Sequence, residues 1–280
     1  MSDRGETTRL RAEDLDDLAT FFQMDRESCL RRLQGYDSTE VRDAWLRADP
    51  RTPQQIRDFY ASTDLYIWEL MQWHASPERD RYAEMIAYIK RRFPPATHLR
   101  VLDYGCGVGT DGLQFAQAGY EVHLADIRGV ISDFAQHRFR RRKIEANLIP
   151  VTGSVAELRG KYDIILCCDV LEHVPNPVAV LEKLVSHMSG HGIAAVVATF
   201  DDAGGVRPCH LNSNIKSFGG VRAGHWEKLR NALGLERVDS EMPHVYRKVP
   251  YTRRLARRVR YRLWRATGIW ICRVATNGFC

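Results

Sequence analysis

Asp103 ends the short apolar run Leu99-Arg-Val-Leu, and glycines follow at alternate positions, Gly105, Gly107 and Gly109. A strand that stops at a carboxylate and opens into a glycine turn can bring its backbone N–H groups against a ligand. Glycine accepts unusual backbone angles there and puts no side chain in the way. Gly107-Val-Gly109-Thr-Asp-Gly112 also satisfies the dinucleotide pattern G-x-G-x-x-G. Two details point elsewhere. Asp103 sets a negative charge directly before the turn, which serves an ammonium group and not a pyrophosphate. The first glycine of the dinucleotide match also falls after the turn has begun. A ligand with a cationic amino-acid end therefore fits better than one with an anionic bridge.

Other acids and imidazoles recur at comparable places. Tyr120-Glu-Val-His-Leu-Ala-Asp126 alternates and then ends in an acid roughly 20 residues beyond the turn, the spacing of a carboxylate that takes both hydroxyls of a ribose. Lys161-Tyr-Asp-Ile-Ile-Leu-Cys-Cys-Asp169 reads as a buried parallel strand from its continuous apolar run. Val-Leu-Glu172-His173-Val-Pro follows it, and His210 lies in Arg-Pro-Cys-His-Leu-Asn-Ser-Asn further on. The unperturbed pKa of a histidine lies near neutrality, and His173 sits just past a strand end, which suits proton transfer.

The elements that must position these groups alternate regularly. Strands are expected at about 99–104, 120–126, 148–152, 162–169 and 193–200, with helices at about 110–118, 129–145, 176–188 and 224–233. Such alternation means an α/β fold: a doubly wound, mostly parallel, Rossmann-like sheet, here of seven strands, with helices on both faces. Ligands then gather at the carboxyl ends of the strands, where Asp103, Asp126, Asp169 and His173 all fall. A sixth strand is expected at Leu235–Met242 and an antiparallel closing strand at Ile269–Ala275. Residues 1–95 read as a helical N-terminal cap, with helices at Asp14–Phe22, Arg26–Gln34, Ser38–Arg47, Gln54 to Trp73 and Pro77–Arg92. The fourth of these is unusually aromatic, which suits both an amphipathic core helix and a lid. Residues 96–280 form the expected core.

In order, these segments resemble the class I S-adenosylmethionine-dependent methyltransferases, in particular the branch with D-V-L-E-H-V after the fourth strand, of the ubiquinone-biosynthesis type. The resemblance covers about residues 96–200. It implies S-adenosylmethionine as cofactor and S-adenosylhomocysteine as product. It implies that Asp103 and the backbone of Gly105, Cys106, Gly107 and Gly109 hold the methionine end, and that Asp126 holds the ribose. Asp169 borders the same edge. Ser154 stands where the family often has an aspartate facing the adenine amino group, and Ile127 and Val155 are placed to sandwich the ring. His173 and His210 become candidate catalytic bases. Tyr60, Tyr66, Trp73, His74, Asn212 and Asn214 become candidate acceptor contacts. Asp169, Glu172, His173 and His210 together offer two carboxylates and two imidazoles, a set in which a divalent metal would lower the pKa of an acceptor hydroxyl.

Composition bounds the partners. The pI near 9.0 and net charge of +6 suggest nucleic acid at first sight, but the excess is local. Ten arginines and lysines, from Arg247 to Arg273, follow the last acid, Glu241, so the rest of the chain is slightly acidic. The expectation is a basic insert at about 243–268 that approaches the acceptor side, with Leu255, Val259 and Leu263 on one helical stripe. It reads either as a solvated helix docked by that stripe, or as a face for an anionic small-molecule acceptor, an acidic carrier or a membrane surface. No recognised nucleic-acid module accompanies it. The 7 cysteines are scattered without a C-x-x-C pair, so neither a disulfide framework nor a zinc ribbon is expected. No apolar run approaches a membrane span and the first residues are not a secretory signal, so a cytoplasmic location is expected. The leading expectation is methyl transfer to a hydroxyl or amine of a small natural-product or sugar-like metabolite. The alternatives are an RNA or peptide acceptor reached through the basic insert, and a cofactor-binding partner subunit without catalysis.

Overall fold

The computed structural model describes residues 11–95, 99–200, 207–211, 214, 224–249, 256–257 and 259–263. Six α-helices come first: α1 (Ala12–Phe22), α2 (Arg26–Gln34), α3 (Thr39–Ala48), α4 (Pro53–Ser62), α5 (Leu65–His74) and α6 (Asp80–Arg92), the last entered through a 3-10 turn at Pro77–Arg79. The alternating part follows as β1 (Arg100–Tyr104), α7 (Thr110–Ala116), β2 (Glu121–Asp126), α8 (Val130–Arg141), β3 (Asn147–Pro150), β4 (Tyr162–Cys168), α9 (Pro177–His187) and β5 (Met188–Val197). Then come α10 (Gly224–Ala232), β6 (Leu235–Arg237) and β7 (Val245–Lys248).

The strands form one seven-stranded sheet in the order β3-β2-β1-β4-β5-β7-β6. The pairs among β1 to β5 are parallel, and β7 runs antiparallel to both β5 and β6. The order reverses between β1 and β4, which is the crevice where ligands enter such sheets. Strand alternation divides the core between two faces. Leu102, Tyr104, Ile165 and Cys167 pack towards α9 and α10. Val101, Val122, Ile164 and Leu166 pack towards α6, α7 and α8. The adjacent Cys167 and Cys168 accordingly serve opposite faces. Burying each large apolar side chain contributes about 1.5–3 kcal/mol, so these two layers hold the strand ends still beneath the site.

Helices α1, α2 and α5 build a further layer over α8, in which Leu18, Leu33, Ile67, Trp68 and Met71 meet Val108 and Phe134. The expected continuous helix from Gln54 to Trp73 is two helices. Thr63 leaves α4 with extended backbone (φ −86°, ψ 129°), and its Oγ1 accepts the Leu65 N–H at 3.3 Å. Ser-Thr-Asp thus stops one helix and starts the next, because short hydroxyl and carboxylate side chains compete for the backbone bonds that a helix needs. Thr52 and Gln55 close a capping box at the start of α4.

The end of the sheet also differs from expectation. The antiparallel strand is Val245–Lys248, joined to β6 by a hairpin; Ile269–Ala275 lies outside the described residues. Val245 faces Ala195 and Arg247 faces Ile193, so β7 runs from the carboxyl edge of the sheet to its amino edge. The chain that follows therefore leaves away from Asp103 and Asp126, and Arg257 pairs with Glu236 of β6 at 2.9 Å. Arg247 and Lys248, the first residues of the basic stretch, lie on that outgoing strand; residues 250–255, 258 and 264–280 lie outside the described residues. Of the apolar stripe, Val259 and Leu263 are exposed, and Leu255 lies outside the described residues. Among the described residues no helix is long and apolar enough to cross a membrane.

Candidate active site

A cavity of about 390 Å³ opens at the carboxyl edge of β1, β2 and β4, beneath α4 and α5. Its floor is the glycine turn. Gly105, Gly107 and Gly109 have φ of 69°, 51° and 73°, a region that side-chain-bearing residues rarely adopt. At Gly105 an added Cβ would also lie 2.3 Å from Val170 Cγ2, and at Gly107 2.9 Å from Leu70 Cδ1. The turn is tied down by backbone bonds from Gly105 N to the Ala125 carbonyl (2.7 Å) and from Gly109 N to the Cys106 carbonyl (2.8 Å).

The two strand-end acids both border the cavity and both grip backbone. Asp126 accepts Gly107 N–H on Oδ2 and Ile127 N–H on Oδ1, each at 2.7 Å. Asp103 accepts Gly112 N–H on Oδ2 at 2.8 Å, which fixes the start of α7. Burial raises the Asp126 carboxyl against these two bonds. Burial, with Asp126 adding to it, pushes the Asp103 carboxyl up to about 7. A carboxylate oxygen has two lone pairs, so each acid can accept from a ligand as well as from the turn.

Most of the expected site residues converge here. Gly105, Cys106, Gly107, Ile127, Ser154 and Asp169 line the cavity together with the two acids. Gly109 does not; it caps α7 and packs against Ala135 and Phe139. Val155 packs into the core, and Val151 takes its place on the wall beside Ile127. Tyr60, Tyr66, Trp73 and His74 line the opposite wall, while Phe59, Ile67, Trp68 and Met71 of the same aromatic stretch are buried. The stretch is core on one side and cavity wall on the other. Asn214 is a brace: its Nδ2 donates to the carbonyls of Leu171, Glu172 and Val174 at 3.2, 3.2 and 2.8 Å. Asn212 lies outside the described residues.

The loop after β4 carries the acid–histidine group. His173 Nδ1 lies 3.3 Å from the Cys209 carbonyl and 3.1 Å from the Tyr60 hydroxyl. A carbonyl only accepts, so this contact puts the proton on Nδ1 and leaves Nε2 as the free lone pair. Burial, with His210 nearby, pushes His173 down to about 3, so its imidazole is neutral at neutral pH. The His173 and His210 rings stand edge to face with centroids 4.8 Å apart. Glu172 is almost fully buried. Its Oε1 accepts the Thr199 N–H at 2.8 Å, and its Oε2 has no hydrogen-bond partner among the described residues. Burial, with Asp169 adding to it, pushes the carboxyl up to about 8. Ligand atoms of Glu172, His173 and His210 all lie within 4.8 Å of one another. Asp169 is not in that group, since its carboxylate takes the Tyr82 hydroxyl.

Two wall residues, Arg79 and Glu69, and Tyr82 packed behind the wall were not legible from the sequence. Arg79 is buried beside Asp103 and Asp169, pairs with Asp111, and lies over the rings of Trp73 (5.2 Å) and Tyr82 (4.9 Å). Within Glu78-Arg-Asp-Arg81 nothing separates it from its exposed neighbours. Tyr82 orients Asp169 from α6. Glu69 lines the acceptor side of the cavity, accepts from the Tyr36 hydroxyl at 3.2 Å, and is pushed up to about 7 by burial.

A family model described as a methyltransferase domain matches residues 78–259. The chain belongs to this methyltransferase family. Its mostly parallel seven-stranded sheet is the fold expected of the class I S-adenosylmethionine-dependent methyltransferases. The methyltransferase is 36% identical over 121 residues to a ubiquinone biosynthesis O-methyltransferase of Bordetella avium, which covers 42% of this chain and 45% of that one. It is 34% identical over 103 residues to a magnesium-protoporphyrin O-methyltransferase of Synechocystis, covering 36% and 44%. The matched part thus spans less than half the length of these relatives. The crystal structure of magnesium protoporphyrin IX methyltransferase from Synechocystis, with bound S-adenosylhomocysteine, aligns over 75% of this chain and 97% of that one. The identity is 19% and the TM-score 0.44. The cavity suits the cofactor on its own terms. Glycines at 105 and 107 avoid Val170 and Leu70 and leave the backbone of the turn bare on the cavity, and two buried acids, Asp103 and Asp126, border the same space.

Proposed function

We propose that this methyltransferase moves the methyl group of S-adenosylmethionine onto a hydroxyl or amine of a small metabolite held between the glycine turn and helices α4 and α5. The observation that carries this reading is the continuity of one cavity, whose wall runs from Gly105 and Asp126 to Tyr60, His173 and His210. A sulfonium supplies its own activated methyl and leaving group, so the protein chiefly aligns the acceptor and excludes water. Asp103 and Arg79 would meet the ammonium and carboxylate of the cofactor, Asp126 the ribose hydroxyls, Ile127 and Val151 the adenine faces, and Ser154 its amino group. Neutral His173, with Nδ1–H directed to Cys209, offers Nε2 as a hydrogen-bond acceptor that orients the methyl-accepting group, and as its base only where a bound acceptor raises it from about 3. The relatives named for ubiquinone biosynthesis and magnesium protoporphyrin support a small-molecule acceptor and methylation at oxygen. Arg57 and Arg207 on the acceptor wall suit an acceptor with negative charge.

A second reading concerns the same group of side chains. The unpartnered Glu172 Oε2 with two imidazoles forms an oxygen and nitrogen donor set for a divalent cation. Glu172, His173 and His210 would hold it, and it would lower the pKa of an acceptor hydroxyl. The RNA or peptide reading has less support, since the described part of the basic stretch begins on a strand, Val245–Lys248, that runs away from the cavity edge.

The test is incubation of the full chain with methyl-labelled S-adenosylmethionine and a panel of phenols, catechols and amines. A labelled small product that disappears in Asp126→Ala is the expected result. Label that reaches only RNA or protein, or no acceptor at all while the cofactor binds, overturns the reading and favours a macromolecular acceptor or a non-catalytic subunit.

A further inference from the structure

Arg138 of α8 lies outside the cavity and is the bulkiest of the fully buried side chains. Its guanidinium spans two parts of the molecule. On one side Nε donates to Asp17 Oδ2 at 3.1 Å and Nη2 donates to Asp14 Oδ1 at 2.8 Å, both acids on α1. On the other side Nη1 donates to the Val108 carbonyl and to Thr110 Oγ1, each at 2.7 Å. Val108 is the residue between Gly107 and Gly109, and Thr110 Oγ1 is 2.9 Å from Nδ1 of the cavity residue His74. A guanidinium is a rigid planar fork. These four partners therefore hold one another in register.

Helix α1 contributes no residue to the cavity wall and precedes the part of the chain that matches the family, residues 78–259. Its two carboxylates nevertheless neutralise the buried cation that fixes a carbonyl inside the glycine turn. Removing them would leave that charge buried and uncompensated, and the turn, whose shape depends on three positive-φ glycines, is the nearest part able to rearrange.

We propose that Arg138 is a positioning residue for the cofactor: it holds the glycine turn in its binding shape by anchoring it to Asp14 and Asp17 of α1. Cofactor occupancy and docking of the first helix are thereby coupled, and the coupling is reciprocal. The inference rests on the glycine turn being the cofactor site.

The experiment measures S-adenosylhomocysteine binding by calorimetry, and thermal unfolding, for the full chain and its variants. Arg138→Gln and the double variant Asp14→Asn/Asp17→Asn each weaken binding about tenfold or more, within the usual range of coupling between sites. Arg141→Gln is the control. Arg141 bonds the Asp16 carbonyl (3.2 Å), Thr20 Oγ1 (2.9 Å) and Asp17 (3.0 Å) on the same helix but nothing in the turn. It lowers the unfolding temperature and leaves affinity within about twofold, because Arg138 keeps both Asp14 and Asp17 as partners. Amide exchange of the unmodified chain needs no variant: the ligand slows exchange across α1, which it does not touch. The proposal is overturned if the Arg138 and double-aspartate variants bind normally. It is also overturned if Arg141→Gln weakens binding as much as they do, which would make α1 a general stabiliser, or if exchange in α1 ignores the ligand. An unmodified chain that does not bind S-adenosylhomocysteine overturns the cofactor reading itself, and this inference with it.

Discussion

The Gly107 amide donates to Asp126 Oδ2 at 2.7 Å, so the acid at the end of β2 closes the glycine turn at the end of β1. Two motifs that stand apart in the chain are one object in space. The acid both shapes the turn and faces the position expected for the ribose.

Loss of either partner should therefore cost more than one ligand contact. Asp126→Ala removes a carboxylate that accepts two backbone N–H groups, and Gly107→Val places a branched side chain at φ 51° against Leu70. Hydrogen bonds to charged groups contribute about 1.5–3 kcal/mol each, so affinity for S-adenosylhomocysteine should fall about 100-fold or more in both variants. Calorimetry checks this, and near-normal affinity in the two would remove the assigned site.

The buried Asp103 makes cofactor binding depend on pH. Its carboxyl titrates at about 7 in the fold, against 3.8 ordinarily. Between these values the folded protein holds a proton that the unfolded chain has released. This group therefore costs stability as pH rises from 3.8 to about 7 and adds no further change above that. A ligand ammonium favours the carboxylate. Binding should tighten as pH rises towards about 7 and should expel a proton below it. Calorimetry at pH about 6 in buffers of different ionisation enthalpy measures that proton; flat affinity with no release would separate Asp103 from the ammonium.

Glu172 distinguishes a metal-assisted from a metal-free transfer. If Glu172, His173 and His210 hold a cation, exhaustive chelation abolishes turnover, magnesium, manganese or zinc restores it, and Glu172→Gln lowers metal affinity by about 10-fold or more. If turnover survives chelation and no metal accompanies the purified protein, the cation reading fails and His173 acts alone. His173→Ala then lowers turnover by less than the ~100-fold of a base tuned to the working pH, because burial pushes His173 down to about 3.

The local signals in the chain were readable because their physics is local. A strand, a glycine turn and an acid declare themselves within a few residues, and the same holds for Asp126 and for Asp169 to His173. The errors fall where tertiary context decides. Val245–Lys248 is a strand of four residues whose partner β5 lies far back in the chain, and the longer apolar run at 269–275 outweighed it. Asn214 looks like a surface hydrogen-bonder until its three carbonyl partners are seen. Arg79 and Glu69 are ordinary charges on helical segments, and only packing turns them inward.

The break at Thr63 and Asp64 divides labour between two helices. Leu70 and His74 of α5 lie against Gly107 and Thr110, whereas Tyr60 of α4 reaches His173. Of the two, α5 touches the glycine turn, while α4 reaches the loop after β4, and Glu69 and Tyr60 bring the two together on one cavity wall. A two-residue elbow therefore lets the α4 side be reshaped while α5 keeps its hold on the turn. The chief constraint on any replacement for α4 is at its far end, where Ala61 packs so closely on Gly129 that an added Cβ would lie 2.2 Å from the Ala61 carbonyl.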